Sequence, residues 1–266
     1  MDHSRGQRGD TVPEDLKGAA GLSQARDLLR RAARITVMTG AGISVESGIP
    51  DFRGPAGLFT TNPDALAWFT RSIFQRSAEA RRHFWSLRHA LLDALPNPGH
   101  TAIADLERQG RLRGVVTQNI DGLHHKAGNS PELVYEVHGS VRGVECLRCG
   151  ATDPVEVMLE RLAAGEDDPH CTRCGGVLKP SLVMYEEQLD PEVFGAAERA
   201  AADCDVMIAV GSTLDVVPAA FIPQAALERG IPLIVVNLGR TRYDEAAAVH
   251  LEARAAAALP YLLAPE

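Results

Sequence analysis

Short apolar segments alternate with amphipathic segments along most of the chain. Five apolar runs predict buried strands, at residues 35–38, 115–117, 133–137, 205–210 and 233–236. Apolar residues recur at helical spacing in other segments, at 22–33, 99–109, 191–202, 218–229 and 244–258. Continuous apolar strands separated by helices are typical of a parallel sheet covered by helices on both faces. The pattern therefore predicts an α/β fold.

Two segments interrupt this alternation. Residues 51–95 are helical in pattern and rich in aromatic residues, and residues 139–178 contain four of the five cysteines. We expect both to be insertions that together form a smaller domain. The large domain is then predicted to comprise 21–50, 96–138 and 179–266, preceded by a mobile tail at 1–20.

Polar or glycine-rich clusters directly follow each predicted strand. They begin at Gly40, Gln118, His138, Gly211 and Asn237. In open α/β sheets, ligands bind at the carboxyl edge of the strands. Five separate segments are therefore predicted to face one crevice.

The paired cysteines have the spacing of a metal site. Cys146 and Cys149 are separated by two residues, as are Cys171 and Cys174, and a glycine follows each pair. The two-residue gap lets both thiolates reach one ion, and the glycine permits the tight turn. Four thiolates predict one closed, structural Zn²⁺ site per chain; an iron–sulfur site or redox dithiols are the alternatives.

The glycine-rich segment after the first strand suits a phosphate, because glycines let backbone N–H groups approach it closely. It begins Gly40-Ala41-Gly42, and we expect a helix to start directly after it, as in a nucleotide-binding βα unit. The full dehydrogenase fingerprint is absent, since Val45 stands where the third glycine belongs and no acidic residue ends a second strand about 20 residues later. Hydride transfer is therefore disfavoured even if a dinucleotide binds.

Two further clusters follow strands. One runs from Thr117 to His124, and on its own a helix-capping loop with Asn119 or Asp121 as the cap is the simpler interpretation. The other is His138 with Gly139. A lone histidine is usually structural, but this one is predicted to face the same crevice as Asn119.

Composition narrows the class of protein. The chain has 266 residues, 45% of them hydrophobic and 23% charged, which excludes a disordered or collagen-like protein. We expect no membrane span and no secretory signal, because no apolar run is long enough for either, and so expect a cytoplasmic protein. The formal net charge of −8 makes nucleic acid an improbable partner.

Taken together, these motifs resemble those of the sirtuins, which are NAD-dependent protein-lysine deacylases. GAGIS-x-x-SGIPDFRG, TQNIDGLH, HGS, the paired CxxC knuckles, GST and VN occur in family order over roughly residues 22–263. The resemblance implies a Rossmann-like domain and a small domain built from a zinc ribbon and a helical insertion. It also implies NAD as co-substrate in the cleft between them, and acyl-lysine proteins or peptides as substrates.

The resemblance also implies a role for each matching residue. The pyrophosphate is expected to contact Gly40, Ala41 and Ser44, and the loop over the nicotinamide to carry Asp51, Phe52 and Arg53. The ribose and nicotinamide pocket is expected to contain Gln118, Asn119 and Asp121, the last two also catalytic. The adenosine half is expected to contact Gly211, Ser212, Thr213, Asn237 and Leu238.

In the implied reaction, the acyl oxygen attacks C1′ of the nicotinamide ribose and displaces nicotinamide. His138 then acts as the general base toward the ribose hydroxyls. The products are free lysine, nicotinamide and O-acyl-ADP-ribose. A mono-ADP-ribosyltransferase and a catalytically silent NAD-binding module are the alternatives.

The chain departs from the family pattern at positions that affect substrate choice. Glu186 stands between Tyr185 and Glu187 where the peptide-binding loop, which also includes Val183, usually has glycine. Trp85-x-x-Arg88 takes the place of the Tyr-x-x-Arg that binds acidic acyl groups in desuccinylases and demalonylases. We interpret Trp85 as a core residue and Arg88 as solvent-facing, and therefore expect acetyl and other neutral acyl groups to be the main substrates. The alternative is desuccinylase or demalonylase specificity, in which Trp85 and Arg88 bind the substrate and the Arg88 guanidinium holds the acyl carboxylate.

Overall fold

A computed structural model describes residues 12–87 and 91–265. A six-stranded parallel sheet forms the centre of the large lobe, in the order β3-β2-β1-β7-β8-β9. Its strands are β1 (Ile35–Thr39), β2 (Leu112–Thr117), β3 (Val134–Glu136), β7 (Val206–Val210), β8 (Leu233–Val236) and β9 (Val249–Leu251). The predicted α/β fold is confirmed.

Helices cover both faces of this sheet. They are α1 (Leu22–Arg31), α6 (Pro98–Arg108), α7 (Leu123–Ala127), α9 (Pro191–Ala202), α10 (Ile222–Leu227) and α11 (Ala255–Leu263). Successive residues of β1 point to opposite faces of the sheet and pack in different cores. Ile35 and Val37 pack with α1, α6 and α11, whereas Met38 packs with α9 and α10. Burial on both faces explains why the strands are apolar at nearly every position.

Three predictions about the large lobe need correction. The predicted helix at 244–258 is wrong, because its middle forms the edge strand β9 beside β8 and the helix begins only at Ala255. Two consecutive 3₁₀ turns, Ala41–Ile43 and Val45–Ser47, replace the helix expected after the first strand. The predicted tail is too long, since Leu16 is fully buried against the core; residues 1–11 lie outside the described residues.

The two insertions form what we call the small lobe, together with residues 179–182, which the prediction had assigned to the large domain but which pair with the cysteine-containing insertion. Its antiparallel sheet has the order β5-β4-β6, with β4 (Gly139–Cys146), β5 (Thr152–Pro154) and β6 (Leu178–Leu182). Its helices are α2 (Leu58–Thr61), α3 (Ala65–Trp68), α4 (Arg71–Arg76), α5 (Ala78–Ser86) and α8 (Val155–Ala163). Both insertions share one apolar core that includes Phe74, Phe84, Val144 and Met158.

A buried ion pair also joins the two insertions. The Arg81 guanidinium donates to both carboxylate oxygens of Asp168, at 2.7 and 2.6 Å, and to the backbone oxygens of Phe74 and Gln75. Such a two-pronged, charge-assisted contact fixes orientation as well as distance. The helical insertion and the cysteine-containing insertion are therefore held together as one unit.

Within the described ranges, no helix combines the length and hydrophobicity that crossing a bilayer requires.

Candidate active site

A cleft of about 690 Å³ lies between the carboxyl edge of the large sheet and the small lobe. Its walls contain residues 40–42, 51–55, 118–120, 138, 182–187, 211–213, 215–218 and 237–239. These segments include the five clusters that were predicted to converge, because parallel strands end at one edge of the sheet.

Two glycine-containing loops pack directly against each other at the base of the cleft. The backbone N–H of Gly42 donates to the oxygen of Gly211 at 2.8 Å. A Cβ on Gly42 would lie only 2.7 Å from the Cα of Gly211, and Gly211 itself has φ of 64°. Only glycine fits both positions without displacing backbone. The cleft floor is thus backbone, which suits a pyrophosphate.

The Asn119 side chain is held by two hydrogen bonds. Its Nδ2 donates to the oxygen of Gly40 and to Oγ of Ser44, both at 3.1 Å. The Ser44 hydroxyl in turn donates to Asp121 at 2.7 Å. Both hydrogens of the amide are occupied, so its carbonyl oxygen is the group that remains for a ligand.

Ser44 and Asp121 do not lie on the cleft wall. Their exposed fractions are only 1% and 4%, and they sit behind Asn119. Burial raises the pKa of Asp121, although hydrogen bonds from Leu123 and Ser44 oppose that shift. The structure therefore places them behind the lining of the cleft, where they support the Asn119 side chain.

A deeper chain of polar side chains supports the same loop. The backbone N–H of Asn119 donates to Oγ1 of Thr117, and that hydroxyl is bonded to Thr39. Thr39 is bonded in turn to Nε2 of the buried His124 at 2.9 Å. The sequence analysis identified neither Thr39 nor the role of His124, because the two residues that form this hydrogen bond are 85 positions apart in the chain.

His138 is oriented by the backbone of the neighbouring strand end. Its Nδ1 lies 3.0 Å from the oxygen of Gln118, and Gln118 Nε2 donates to Ser212 Oγ at 2.9 Å. Because a carbonyl only accepts, Nδ1 carries the proton and Nε2 keeps its lone pair. Burial lowers the pKa of His138, partly offset by the Gln118 bond, so the ring is neutral at pH 7. A neutral imidazole on a cleft wall can accept a proton.

The loop with Asp51, Phe52 and Arg53 folds back on itself. A carboxylate oxygen of Asp51 accepts from the N–H of Gly54 at 2.8 Å. Phe52 packs into the small lobe, and Arg53 donates to the Tyr185 hydroxyl at 3.0 Å. The loop and the segment 182–187 are therefore in contact.

Glu186 takes a glycine-like conformation. Its φ is 77°, and its carboxylate accepts from the N–H and the hydroxyl of Ser72, at 2.9 and 3.0 Å. The neighbouring Tyr185 pairs through its own N–H and C=O with Phe69 and Arg71. The loop keeps the backbone shape that glycine would give, and Glu186 fixes its side chain on the first turn of α4.

The lining residues of the cleft also include Thr213, Asn237 and Leu238. Thr213 and Leu238 are exposed, and the Asn237 side chain bonds the oxygen of Gly239. Val216, Val217 and Pro218 also line the cleft. No sequence motif had indicated these three residues, which follow the GST segment without a distinctive pattern.

The four paired cysteines converge at one point in the small lobe. Their sulfur atoms all lie within 4.8 Å of one another. Cys146 and Cys174 are separated by 3.5 Å, and Cys149 and Cys171 by 3.8 Å. Tetrahedral zinc with bonds of about 2.3 Å would separate its sulfur ligands by roughly 3.8 Å. The four cysteines therefore fit one structural Zn²⁺, as predicted, while Cys204 is buried elsewhere.

Trp85 is buried in the small-lobe core against Phe84, with ring centroids 5.4 Å apart. The lining residues of the cleft do not include it. Arg88 lies outside the described residues.

Comparison with known proteins gives one consistent result. The sequence model described as "Sir2 family" matches residues 40–218. An NAD-dependent protein deacetylase 2 from Streptomyces coelicolor is 46% identical over 231 residues, covering 86% of this chain and 96% of the relative. An NAD-dependent protein deacylase 2 from Pyrobaculum aerophilum is 40% identical over 239 residues, covering 89% and 92%.

Solved structures agree with the sequence matches. A structure described under the mechanism and regulation of Sir2 enzymes has a TM-score of 0.83 at 38% identity, covering 91% of this chain and 96% of the other. A Sir2 complex with a p53 peptide and NAD⁺ has a TM-score of 0.81 at 33% identity, covering 91% and 97%.

Proposed function

This chain belongs to the Sir2 family, and from that premise we propose how its cleft carries out NAD-dependent removal of acyl groups from protein lysines. NAD supplies the ADP-ribosyl group that receives the acyl group, and one water molecule is consumed to release the lysine amine. The products are free lysine, nicotinamide and O-acyl-ADP-ribose. NAD is consumed as a reactant, so the cleft needs no hydride-transfer machinery.

The observation that carries the proposal is the state of His138. Its Nδ1 is fixed on the Gln118 carbonyl, and its pKa is lowered by burial. The free Nε2 accepts a proton from a ribose hydroxyl of the bound dinucleotide, which makes that oxygen a nucleophile. Asn119 lies on the same wall, with its carbonyl oxygen available to orient the reacting end of the dinucleotide.

The acyl-lysine enters along the wall formed by residues 182–187. Ile120, Leu182, Val183 and Met184 make this part of the cleft apolar. An apolar wall favours an uncharged acyl chain, because a carboxylate would lose its hydration there. Trp85 is packed in the core, in agreement with the interpretation of Trp85 as a core residue. Acetyl is therefore the main group removed.

One assay tests the reaction and its acyl preference. The enzyme is incubated with NAD and matched acetyl-, propionyl- and succinyl-lysine peptides, and all products are identified by mass. We expect equal amounts of deacylated peptide, nicotinamide and O-acyl-ADP-ribose, with the acetyl peptide turned over faster than the succinyl peptide. ADP-ribosylated protein without deacylation would establish the transferase alternative, and no nicotinamide release would establish the silent module.

The two domains and the metal have separate roles in this reaction. The large domain (21–50, 96–138 and the part of 179–266 that follows β6) binds NAD, the small domain (51–95, 139–178) contributes Asp51, Phe52 and Arg53 to the cleft, and residues 182–187, at the end of β6, form the substrate wall. One structural Zn²⁺ on Cys146, Cys149, Cys171 and Cys174 stabilises the small domain. Cysteines that bind zinc instead of forming disulfides suit a reducing compartment, which supports the cytoplasm as the site of action.

A further inference from the structure

One of the three lysines of the chain is buried behind the substrate wall. Lys179, on β6, has an exposed fraction of 3%. Its ammonium donates to the oxygen of Leu182 at 2.7 Å and contacts the carboxylates of Glu145 and Glu187, at 2.9 and 3.1 Å. A buried ammonium is tolerated only when paired and hydrogen-bonded, and here those conditions are met.

Glu187 extends these contacts to the helical insertion. One carboxylate oxygen accepts from the N–H of Met184 at 2.9 Å and faces Lys179. The other oxygen pairs with Nε of Arg71 at 2.6 Å. Positive and negative groups therefore alternate from Arg71 through Glu187 and Lys179 to Glu145, and they join α4, the substrate wall and β4.

The ammonium contacts the substrate wall at both of its ends. Leu182 and Glu187 bound the segment 182–187, and Lys179 binds one atom of each. The segment is also attached at its middle, where the N–H of Val183 donates to the oxygen of His138 at 2.8 Å. The curvature of the wall next to the catalytic histidine thus depends on a charge that never reaches the cleft.

We propose that Lys179 is a positioning residue for the acyl-lysine substrate. This proposal rests on the proposed function, because the effect of Lys179 is measured with an acyl-lysine peptide. By holding Leu182 and Glu187 at a fixed separation, Lys179 sets the shape of the wall along which the peptide lies. Losing the ammonium frees this segment, so that peptide binding must order it again, while the glycine loops that hold the dinucleotide stay in place.

The test compares Lys179→Met with Lys179→Arg and Glu187→Gln. Lys126→Met is the matched control, because Lys126 also donates to backbone oxygens, those of Leu92 and Ala94, but does not line or support this wall. Steady-state kinetics give separate KM values for an acetyl-lysine peptide and for NAD, and thermal unfolding reports stability.

We expect Lys179→Met and Glu187→Gln to raise the peptide KM about tenfold or more while the KM for NAD stays within twofold, the size of effect expected when a buried charge pair is broken. Lys179→Arg should recover most of the loss, and Lys126→Met should leave both constants unchanged. A peptide KM within twofold of wild type in Lys179→Met and Glu187→Gln, with only the unfolding temperature lowered, would overturn the proposal. If Lys179→Met does not fold, the peptide KM of Glu187→Gln still tests the positioning role.

Failure of the proposed function would look different. If wild-type protein does not deacylate the peptide, its affinity for a fluorescent acetyl-lysine peptide is measured directly by anisotropy in the presence of NAD. Weaker peptide binding by the Lys179→Met and Glu187→Gln variants would still support the positioning role, and equal affinities would refute it.

Discussion

The imidazole of His138 lies 3.0 Å from the backbone oxygen of Gln118, and this contact alone fixes which ring nitrogen is free. The proton is placed on Nδ1, and Nε2 is left as the base. The side chain of the same residue, Gln118, bonds Ser212, which follows β7 on the far side of β1, so three loops at one sheet edge set the orientation of one ring.

Replacing His138 with alanine should reduce kcat by about 10²–10⁴-fold, because general-base catalysis contributes that much. NAD affinity should change by less than twofold, since the glycine loops do not depend on this ring. Single-turnover kinetics and NAD titration measure the two effects. His83→Ala, on the outer side of the small lobe against Trp68, serves as the control and should keep its activity. Near-normal turnover by the His138 variant would contradict the assignment.

The pH dependence of the reaction follows from the lowered pKa of His138. The base must be neutral, and burial makes it neutral to a lower pH than an ordinary histidine. We expect kcat/KM to stay level as the pH falls from 8 to about 6.5 and to decline only below that value. A pH–rate profile of wild-type enzyme checks this. A midpoint above 6.5 would mean that another group controls the acidic limb.

Two histidines beneath the site should make the fold sensitive to acid. Burial lowers the pKa of His100 from 6.5 to about 4, and burial also lowers that of His124. Both rings stay neutral in the folded protein, whereas the unfolded chain protonates these histidines as the pH falls below 6.5. The protein therefore keeps its full stability above pH 6.5 and loses part of it as the pH falls toward 4. His100 alone then accounts for about 3 kcal/mol of unfolding free energy.

Urea unfolding at pH 7.5 and pH 5 measures this loss. The His100→Gln variant should be less stable at pH 7.5 but should show a smaller difference between the two pH values. Equal pH dependence in variant and wild type would show that His100 is not a source of the acid sensitivity.

Glu186 combines a strained backbone with a compensating side chain. An L-residue in the left-handed region costs roughly 1–2 kcal/mol, and the carboxylate contact with Ser72 offsets part of that cost. Glu186→Gly should therefore change the unfolding free energy little, since it removes both the strain and the contact. Glu186→Ala keeps the strain and loses the contact with Ser72, so it should be less stable than both wild type and Glu186→Gly. Denaturant titrations of both variants decide the matter; a more stable alanine variant would contradict the stabilising role of this contact.

The cysteine cluster should hold one zinc per chain. Replacing Cys171 with serine should release the metal and loosen the small lobe, because metal binding and folding are coupled in such sites. Elemental analysis and amide hydrogen exchange of the small lobe measure the two consequences. Cys204→Ser is the control and should retain zinc. An iron–sulfur absorbance in place of zinc would refute the prediction.

Local sequence pattern was sufficient for the elements whose determinants are close in the chain. The apolar runs at 35–38 and 233–236 have no alternative to burial between helices, so their strands could be predicted. Each cysteine knuckle is fixed by its own two-residue gap. The strand within 244–258 was not predicted, because the alanines of this segment favour a helix. Pairing with β8 nevertheless makes three of its residues a strand.

The arrangement of the site was decided by contacts between residues far apart in the chain. The sequence by itself determined that Asn119, His138 and Gly40 follow strands and share one sheet edge. Only the tertiary structure placed Ser44 and Asp121 behind Asn119 rather than on the cleft wall. The same holds for Lys179, because burial and ion pairing with Glu145 arise from packing between distant segments, which no local propensity encodes.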